Sequence, residues 1–362
     1  MKDKINKIII GNSCSIIDAL KIMDERKIKL LAIVDENNRY QNLLSIGDIQ
    51  RAIIKGFDVT QNVEEVVIDE KIVASTDDSK EKIVEMMRSM RCDFMPIIDE
   101  SKELYDVIFW EELFEDLPAE LNDKRNIPVV VMAGGKGTRL KPISNILPKP
   151  LIPVGEKTIL EEIINRFESA GSEDFYLSVN YKKEMIKYYL DSINKQVEYF
   201  SEDKPLGTAG SLSILKGKLK STFYVTNCDI LIDQDLNEIY KYHEENKNDI
   251  TLVAALKNLS IPYGTISTGK GGLLLEMQEK PNLSFKINTG VYILEPHILN
   301  EIPDNTFLHI TDLIEKIRVA GGRVGVFPIS EKSWMDIGEW PEYMKTVSIL
   351  SGDNSFKGLK YD

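Results

Sequence analysis

Val129-Val130-Val131-Met132-Ala133 runs directly into Gly134-Gly135-Lys136-Gly137-Thr138-Arg139-Leu140, and no other stretch constrains the fold as tightly. Three consecutive β-branched residues without polar alternation read as a buried strand. The glycines at its carboxyl end read as a sharp turn. Lacking a Cβ, they let backbone N–H groups come close to a ligand, and amides that converge in this way bind anions. Arg139 adds a cation whose forked donors suit phosphate oxygens. Leu147-Pro148-Lys149-Pro150-Leu151-Ile152-Pro153-Val154 brings a second cation, Lys149, shortly downstream. The stretch predicts an anion-binding loop at the end of a strand.

At 362 residues the chain is too long for one ordinary core, and its length suggests roughly two or three domains. A composition of 43% hydrophobic and 28% charged residues suits a soluble globular protein. A net charge of −13 argues against nucleic acid or an anionic membrane as the main partner. No apolar run is long enough to span a bilayer, and Met1-Lys2-Asp3-Lys4 opens no apolar signal core. Cys14, Cys92 and Cys228 are isolated, and His243, His297 and His309 are scattered, so neither a disulfide framework nor a zinc site is indicated. The expected location is the cytoplasm.

The first third repeats. An ungapped shift of 64 residues lays residues 8–49 on 72–113, aligning Met23 with Met87 and Ile33-Val34-Asp35-Glu36 with Ile97-Ile98-Asp99-Glu100. Each copy carries an amphipathic helix (Ile16, Ala19, Leu20 and Met23; Ile83, Val84 and Met87), a strand ending in Asp-Glu, a polar turn, a second strand and a second helix. Units this short bury too little surface alone, so the two copies are expected to pack together. The expected boundaries are 1–57 and 62–118 for the repeats, 119–127 for a polar, proline-broken linker, and 128–362 for a second domain.

From Pro128 onward apolar strands alternate with helices. Phe175–Val179, Gln196–Phe200, Thr222–Thr226, Ile250–Leu256 and Thr289–Leu294 read as strands, and 157–170 and 182–190 as helices. Alternation favours a mostly parallel sheet covered on both faces, with ligands beyond the carboxyl ends of strands. Asp229 follows one strand, and Trp334-Met335-Asp336-Ile337-Gly338 supplies a second acid near the other end of the domain. Two such acids can share magnesium, which prefers carboxylate and phosphate oxygens. Divalent charge with lysine and arginine nearby suits phosphoryl or nucleotidyl transfer. The bland alternative for Asp229 is a turn or cap residue.

Two resemblances sharpen these expectations. Residues 1–120 or so resemble a tandem pair of cystathionine-β-synthase-type (CBS) modules. The first copy keeps the family's hydroxyl and acid pattern in Ser45-Ile46-Gly47-Asp48, whereas Phe109 and Glu112 stand at the matching places in the second. The resemblance implies an adenine or guanine nucleotide at Ser45 and Asp48, and homo-oligomers formed through the pair. The alternatives are that the pair only packs and dimerises, and that Asp48 only caps the helix beginning at Ile49.

Residues 128–345 resemble the sugar-1-phosphate nucleotidyltransferases (nucleoside-diphosphate-sugar pyrophosphorylases). Several motifs occur in the family's order: Gly134 to Leu140, Pro148-Lys149-Pro150-Leu151, Leu206-Gly207-Thr208-Ala209-Gly210-Ser211, Asn227-Cys228-Asp229, Pro262-Tyr263-Gly264, Glu279-Lys280-Pro281, Asn288-Thr289-Gly290 and Asp336-Ile337-Gly338. The fold implied is a Rossmann-like, mostly parallel α/β nucleotidyltransferase domain preceded by a tandem CBS module of α+β type. The reaction implied is NTP plus sugar 1-phosphate giving NDP-sugar and pyrophosphate, with Mg2+ as cofactor.

Carried onto this chain, Ala133, Gly134, Gly135, Gly137, Thr138, Gly207, Thr208 and Ala209 would bind the nucleotide. Arg139 and Lys149 would hold the triphosphate, and Lys280 the sugar phosphate. Gly264, Glu279, Asn288, Thr289 and Gly290 would line the sugar pocket, and Asp229 and Asp336 would hold magnesium. Glu202 reads equally as a ligand contact or a solvated acid. Val225-Thr226-Asn227-Cys228-Asp229 and the CBS pair most resemble bacterial guanylyltransferases. That subgroup includes mannose-1-phosphate guanylyltransferase-like enzymes and those making GDP-glucosamine for nonulosonic acid synthesis, which favours GTP with mannose or glucosamine 1-phosphate. Uridylyl or thymidylyl transfer to a hexose 1-phosphate is the alternative. From another class, so is a non-catalytic subunit that only holds a nucleotide-sugar.

Overall fold

The computed structural model describes residues 2–26, 28–67, 71, 73–90, 94–109, 125–135, 137–202 and 204–351. Cys92, Glu112, Lys136, residues 119–124 of the expected linker and the expected second helix of the second repeat lie outside them. The chain divides into two compact units, Met1–Leu121 and Asn122–Asp362. Among the described residues no helix is long and apolar enough to cross a membrane.

In the first unit, β1 (Ile9–Gly11), α1 (Ile16–Arg26), β2 (Leu30–Val34), β3 (Tyr40–Ser45) and α2 (Ile46–Ile54) are followed by β4 (Ala74–Ser75), α3 (Lys80–Met90), β5 (Phe94–Ile98) and β6 (Leu104–Phe109). The bounds of α3, β5 and β6 are those of α1, β2 and β3 moved by 64 residues. Each sheet has one parallel and one antiparallel pairing, in the orders β1-β2-β3 and β4-β5-β6. The turns match too. Asp35 accepts from the N–H groups of Asn37 and Arg39, and Asp99 from those of Ser101 and Glu103. Ile8, Leu30, Tyr40 and Leu43 share a core with Phe94 and Val107, so the copies bury one another's apolar faces.

The second unit is built on a seven-stranded sheet. Its strands are β7 (Val129–Met132), β8 (Phe175–Val179), β9 (Glu198–Ser201), β10 (Phe223–Asn227), β12 (Ile250–Ser260), β15 (Asn282–Leu294) and β16 (Val324–Ser330), in the order β9-β8-β7-β10-β15-β12-β16. All neighbours pair in parallel except at β15, which is antiparallel to both β10 and β12. Two short strands, β11 (Ile230–Ile232) and β17 (Trp334–Asp336), form a separate antiparallel pair, as do β13 (Thr265–Thr268) and β14 (Leu274–Gln278). The longer helices are α4 (Ile159–Ser169), α5 (Lys183–Ser192), α6 (Leu236–Glu245), α7 (Ile310–Val319) and α8 (Trp340–Ser351).

Sequence dictates these elements locally. Val129 and Val131 enter one core and Val130 the other, so the unbroken valine run serves a central strand covered on both faces. Each such side chain contributes about 1.5–3 kcal/mol on full burial. The Thr158 hydroxyl accepts from Glu161 N–H and caps α4, whose apolar stripe Ile159, Leu160, Ile163, Ile164 and Phe167 is buried. Gly171, at φ +106°, ends it.

A buried polar group locks the opposite end of the sheet from the glycine loop. His243 on α6 pairs its Nδ1 with Thr251 Oγ1 (2.8 Å) and its Nε2 with Glu295 Oε1 (3.1 Å), and the Thr222 hydroxyl donates to the same Glu295 oxygen at 2.8 Å. The hydrogen bond to His243 holds the Glu295 carboxyl below its usual range, against the opposing effect of burial. A carboxyl depressed by folding stabilises the protein above its unfolded pKa and ceases to as pH falls through its folded pKa. Glu295→Gln should therefore lower the melting temperature near neutral pH, and the gap to wild type should close as pH falls through the carboxylate range. A gap independent of pH in calorimetric melts would remove the charged contact.

Candidate active site

The carboxyl end of β7 opens into Ala133–Gly137. No hydrogen bond within the protein engages the N–H groups of Gly134, Gly135 or Gly137 among the described residues, so three backbone donors remain in one short turn. Gly137 has φ +61°, and a Cβ there would lie 2.9 Å from Lys149 Cβ. The glycine thus supplies both the left-handed turn and the room for Lys149 to pass. Thr138–Leu140 follows as a 3-10 turn that carries Arg139 outward and buries Leu140.

Lys149 is buried and forms an ion pair with Asp229. Asp229 sits in the turn between β10 and β11. Antiparallel pairing of β11 with β17 sets Ile230 opposite Asp336, and Ile337 N–H donates to Asp229 O at 2.8 Å. The ladder therefore draws together two acids 107 positions apart in the sequence. Burial, and next the charge of Asp229, push the Asp336 carboxyl above its usual value; Gly338 N–H donates to its Oδ1 at 2.7 Å and opposes the shift. A Cβ at Gly338 would lie 2.8 Å from Asp336 Oδ1, 3.3 Å from Asp229 Oδ2 and 3.5 Å from Arg139 Nη2, so three charged groups converge on one glycine. Arg139 also meets Glu339 Oε1 at 3.1 Å in an exposed pair, a contact that no sequence motif signals.

Among the described residues no cluster of three or more His, Cys, Asp or Glu side chains is placed to hold a metal. Two converging carboxylates, one raised by burial and then by the other's charge, still match a hard cation that takes its remaining oxygens from phosphates and water. Cys228, between Asn227 and Asp229, is not a competing nucleophile. Burial, and then the Asp229 charge, push its thiol up to about 12.

On the other side of the glycine loop lies Glu202, at the carboxyl end of β9. Its Oε2 accepts from Leu206 N–H at 2.6 Å, and a Cβ at Gly134 would lie 3.1 Å from its Oε1. Burial raises this carboxyl. The acid is half-buried beside the loop rather than solvated. Gly207 has φ +77° and packs on the Leu308 carbonyl, which a Cβ would approach to 2.6 Å. The Thr208 hydroxyl accepts from Ile310 N–H (2.9 Å) at the start of α7, and Ala209 N–H donates to Leu308 O (3.0 Å). Thr208 and the buried Ala209 are thus tied to the segment before α7.

The remaining expected residues fall in two places. Gly290, at φ +86°, leaves room for Asn227, whose Nδ2 a Cβ would meet at 2.5 Å. Thr289 is buried and donates to Val253 O (2.8 Å), and Asn288 Oδ1 accepts from Gly290 N–H (3.1 Å). Gly264, Glu279 and Lys280 instead lie where β12 and β15 pass into β13 and β14. Glu279 and Lys280 are exposed there, and a Cβ at Gly264 would lie 2.9 Å from Glu279 Oε2. No described contact joins these three to Asp229 or Lys149.

In the first unit, Ser45 rather than Asp48 is the helix cap. Its hydroxyl accepts from Asp48 N–H, and Asp48 Oδ2 accepts from Ser45 N–H at 2.8 Å, the reciprocal pattern of a capping box. Lys71 also pairs with Asp48 Oδ2, and Arg51 with Oδ1. Any ribose reaching this acid meets a carboxylate already engaged on both oxygens.

Comparison with known proteins agrees with this geometry. A family model described as nucleotidyl transferase matches residues 128–351, and one described as CBS domain matches residues 4–55. A mannose-1-phosphate guanylyltransferase of Mycobacterium tuberculosis is 29% identical over 232 residues, covering 62% of this chain and 64% of that protein. A UTP–glucose-1-phosphate uridylyltransferase of Synechocystis is 31% identical over 246 residues, covering 61% of this chain and 63% of its own length. The match thus spans less than two thirds of these relatives. The crystal structure of HddC from Yersinia pseudotuberculosis superposes with a TM-score of 0.50 at 26% identity, covering 62% of this chain and 99% of that one. With a glycine turn, a buried lysine and two converging acids in the matched region, the chain belongs to the nucleotidyl transferase family and carries a CBS domain ahead of that region.

Proposed function

We propose that the second unit transfers a nucleotidyl group, GMP for preference, from an NTP to a sugar 1-phosphate of the mannose or glucosamine type, releasing pyrophosphate. The observation that carries this reading is the meeting of Lys149, Asp229, Asp336 and Arg139 beside the open amides of Gly134, Gly135 and Gly137. A phosphate oxygen of the sugar attacks the α-phosphorus, and the bond to pyrophosphate breaks. No residue forms a covalent intermediate, so the protein's work is positioning and charge neutralisation. The glycine amides hold phosphate oxygens. Arg139 leaves Glu339 for the triphosphate, and Lys149 follows the charge of the departing pyrophosphate. Lys280 holds the sugar phosphate, with Glu279, Gly264 and the Asn288–Gly290 segment of β15 around the sugar. Asp229 and Asp336 would hold Mg2+, which when bound supplies positive charge against the phosphates.

Glu202 supports the choice of GTP. A carboxylate is acceptor-only. With Oε2 engaged by Leu206, its Oε1 faces the loop and is suited to a base that presents adjacent donors. Guanine does so through its ring N–H and amino group. Uracil and thymine present one N–H between two carbonyl oxygens, which a carboxylate repels. An adenine or guanine nucleotide at Ser45 and Asp48 belongs to the same proposal, on condition that it displaces Lys71.

Pyrophosphate release, measured with a panel of NTPs and sugar 1-phosphates, tests the whole reading. GTP should be used best, and release from no combination would refute catalysis. Asp229→Asn should cost about two to three decades in kcat while the protein still folds, since the amide keeps an acceptor for Lys149. Wild-type turnover in that variant would dismiss the role of Asp229. Glu202→Gln should lower kcat/KM for GTP about ten- to a hundredfold and raise the relative use of UTP or dTTP, as expected for loss of a hydrogen bond to a charged acceptor, about 1.5–3 kcal/mol. An unchanged ratio among bases would dissociate Glu202 from base choice.

A further inference from the structure

The sheet face that carries Glu202 continues past the carboxyl ends of three strands. Register sets Ser178 on β8 beside Met132 on β7 and Phe200 on β9. Neighbours in register share a face, and faces alternate along a strand. Two positions beyond these residues stand Asn180, Gly134 and Glu202, the next row on that face. The distances agree. A Cβ at Gly134 would lie 3.1 Å from Glu202 Oε1, 3.6 Å from Asn180 Cβ and 3.7 Å from Ser178 Oγ. Gly134 has no such atom, and the three side chains border the place it would take.

Two of the three carry polar groups that the fold does not use. Among the described residues no hydrogen bond engages the side chain of Asn180 or of Ser178. Asn180 is exposed, where a free amide is ordinary. Ser178 is 1% exposed, where a hydroxyl normally finds a partner. Packing gives no reason for a hydroxyl there, because Val130, Tyr176 and Phe200 on the same face pack into an apolar core. Both groups stand beside the loop, on the side away from Lys149 and Asp229.

We infer that Asn180 and Ser178 read O6 of the guanine whose ring N–H and amino group Glu202 accepts. The inference rests on the GTP reading above and adds two specificity residues to it. Guanine presents one acceptor and then two donors along one edge. Glu202 is acceptor-only and takes the donors. The Asn180 amide supplies a donor through Nδ2 and the Ser178 hydroxyl a second, and a carbonyl oxygen with two lone pairs accepts both. Donors on β8 and an acceptor on β9, with Gly134 between them, follow the order of that edge. Adenine fails at its ring nitrogen, which meets the carboxylate acceptor to acceptor.

Binding to the full chain, with magnesium and without sugar phosphate, tests the inference by competition calorimetry with three nucleotides. They are GTP, ITP, which lacks the amino group, and 2-aminopurine riboside triphosphate, which lacks the oxygen. Asn180→Ala should weaken GTP and ITP alike by about fivefold or more and leave the 2-aminopurine nucleotide nearly unchanged. Ser178→Ala should do the same without lowering the melting temperature of the free protein, since folding loses no contact of that hydroxyl. Glu202→Gln should instead narrow the gap between GTP and ITP. With a wild type that prefers GTP, three results would overturn this inference alone: no loss of GTP binding in either variant, an equal loss of all three nucleotides, or a destabilised Ser178→Ala protein. A wild type that binds GTP no better than UTP or ATP would overturn the GTP reading and this inference with it.

Discussion

The buried contact between Lys149 and Asp229 is the constraint around which the second unit is arranged. Two charges removed from water are tolerable only when they meet, and removing one partner typically costs about 3–5 kcal/mol. Their meeting fixes much else. Gly137 must lack a Cβ because Lys149 passes against it, and Asp229 must stand in a turn whose exit strand, β11, pairs with β17. That pairing brings Asp336 in from near the far end of the unit. The result is two carboxylates, one lysine and one arginine at a single place, their formal charges in balance.

The sheet divides its labour between its two ends. The carboxyl ends of β7, β9 and β10 carry the glycine loop, Glu202 and the turn to Asp229, and no described hydrogen bond engages the amides of Gly134, Gly135 and Gly137. The other end carries His243, Thr251, Glu295 and Thr222, whose hydrogen bonds are made to one another. That other end thus holds polar groups that satisfy each other, while the loop end keeps donors unspent. β15, the one antiparallel strand, lets a single long hairpin leave this sheet and carry Gly264, Glu279 and Lys280 on an arm rather than on the rim of the loop end.

The first unit rests on a different economy. Neither repeat can bury its apolar face alone, and the shared core of Ile8, Leu30 and Tyr40 with Phe94 and Val107 resolves that. The 64-residue identity of element bounds extends to the Asp35 and Asp99 turns, so the repeat is one of backbone hydrogen bonding as well as of hydrophobic pattern. The copies part where chemistry enters: Asp48 is held by Ser45, Lys71 and Arg51 in the first, while Phe109 stands at the position of Ser45 in the second.

Local sequence was enough to determine six of the seven strands of the main sheet, though not Val324–Ser330, because an unbroken valine run or an alternating one has few other solutions. It determined the cap of α4 at Thr158, the stop at Gly171, the repeat, and the motif order that identifies the family. Those features depend on neighbours in the chain. The sequence could not show that Asp229 and Asp336 share one ladder, that Lys149 is buried against an acid, or that Glu202 lies beside Gly134 rather than in solvent. Nor could it show that Ser45, not Asp48, caps its helix, or that Lys71 and Glu339 already hold Asp48 and Arg139. Each of these is a contact between residues distant in sequence or between two locally equivalent choices. Strand order and side-chain packing decide such contacts, and propensity and spacing carry no record of either.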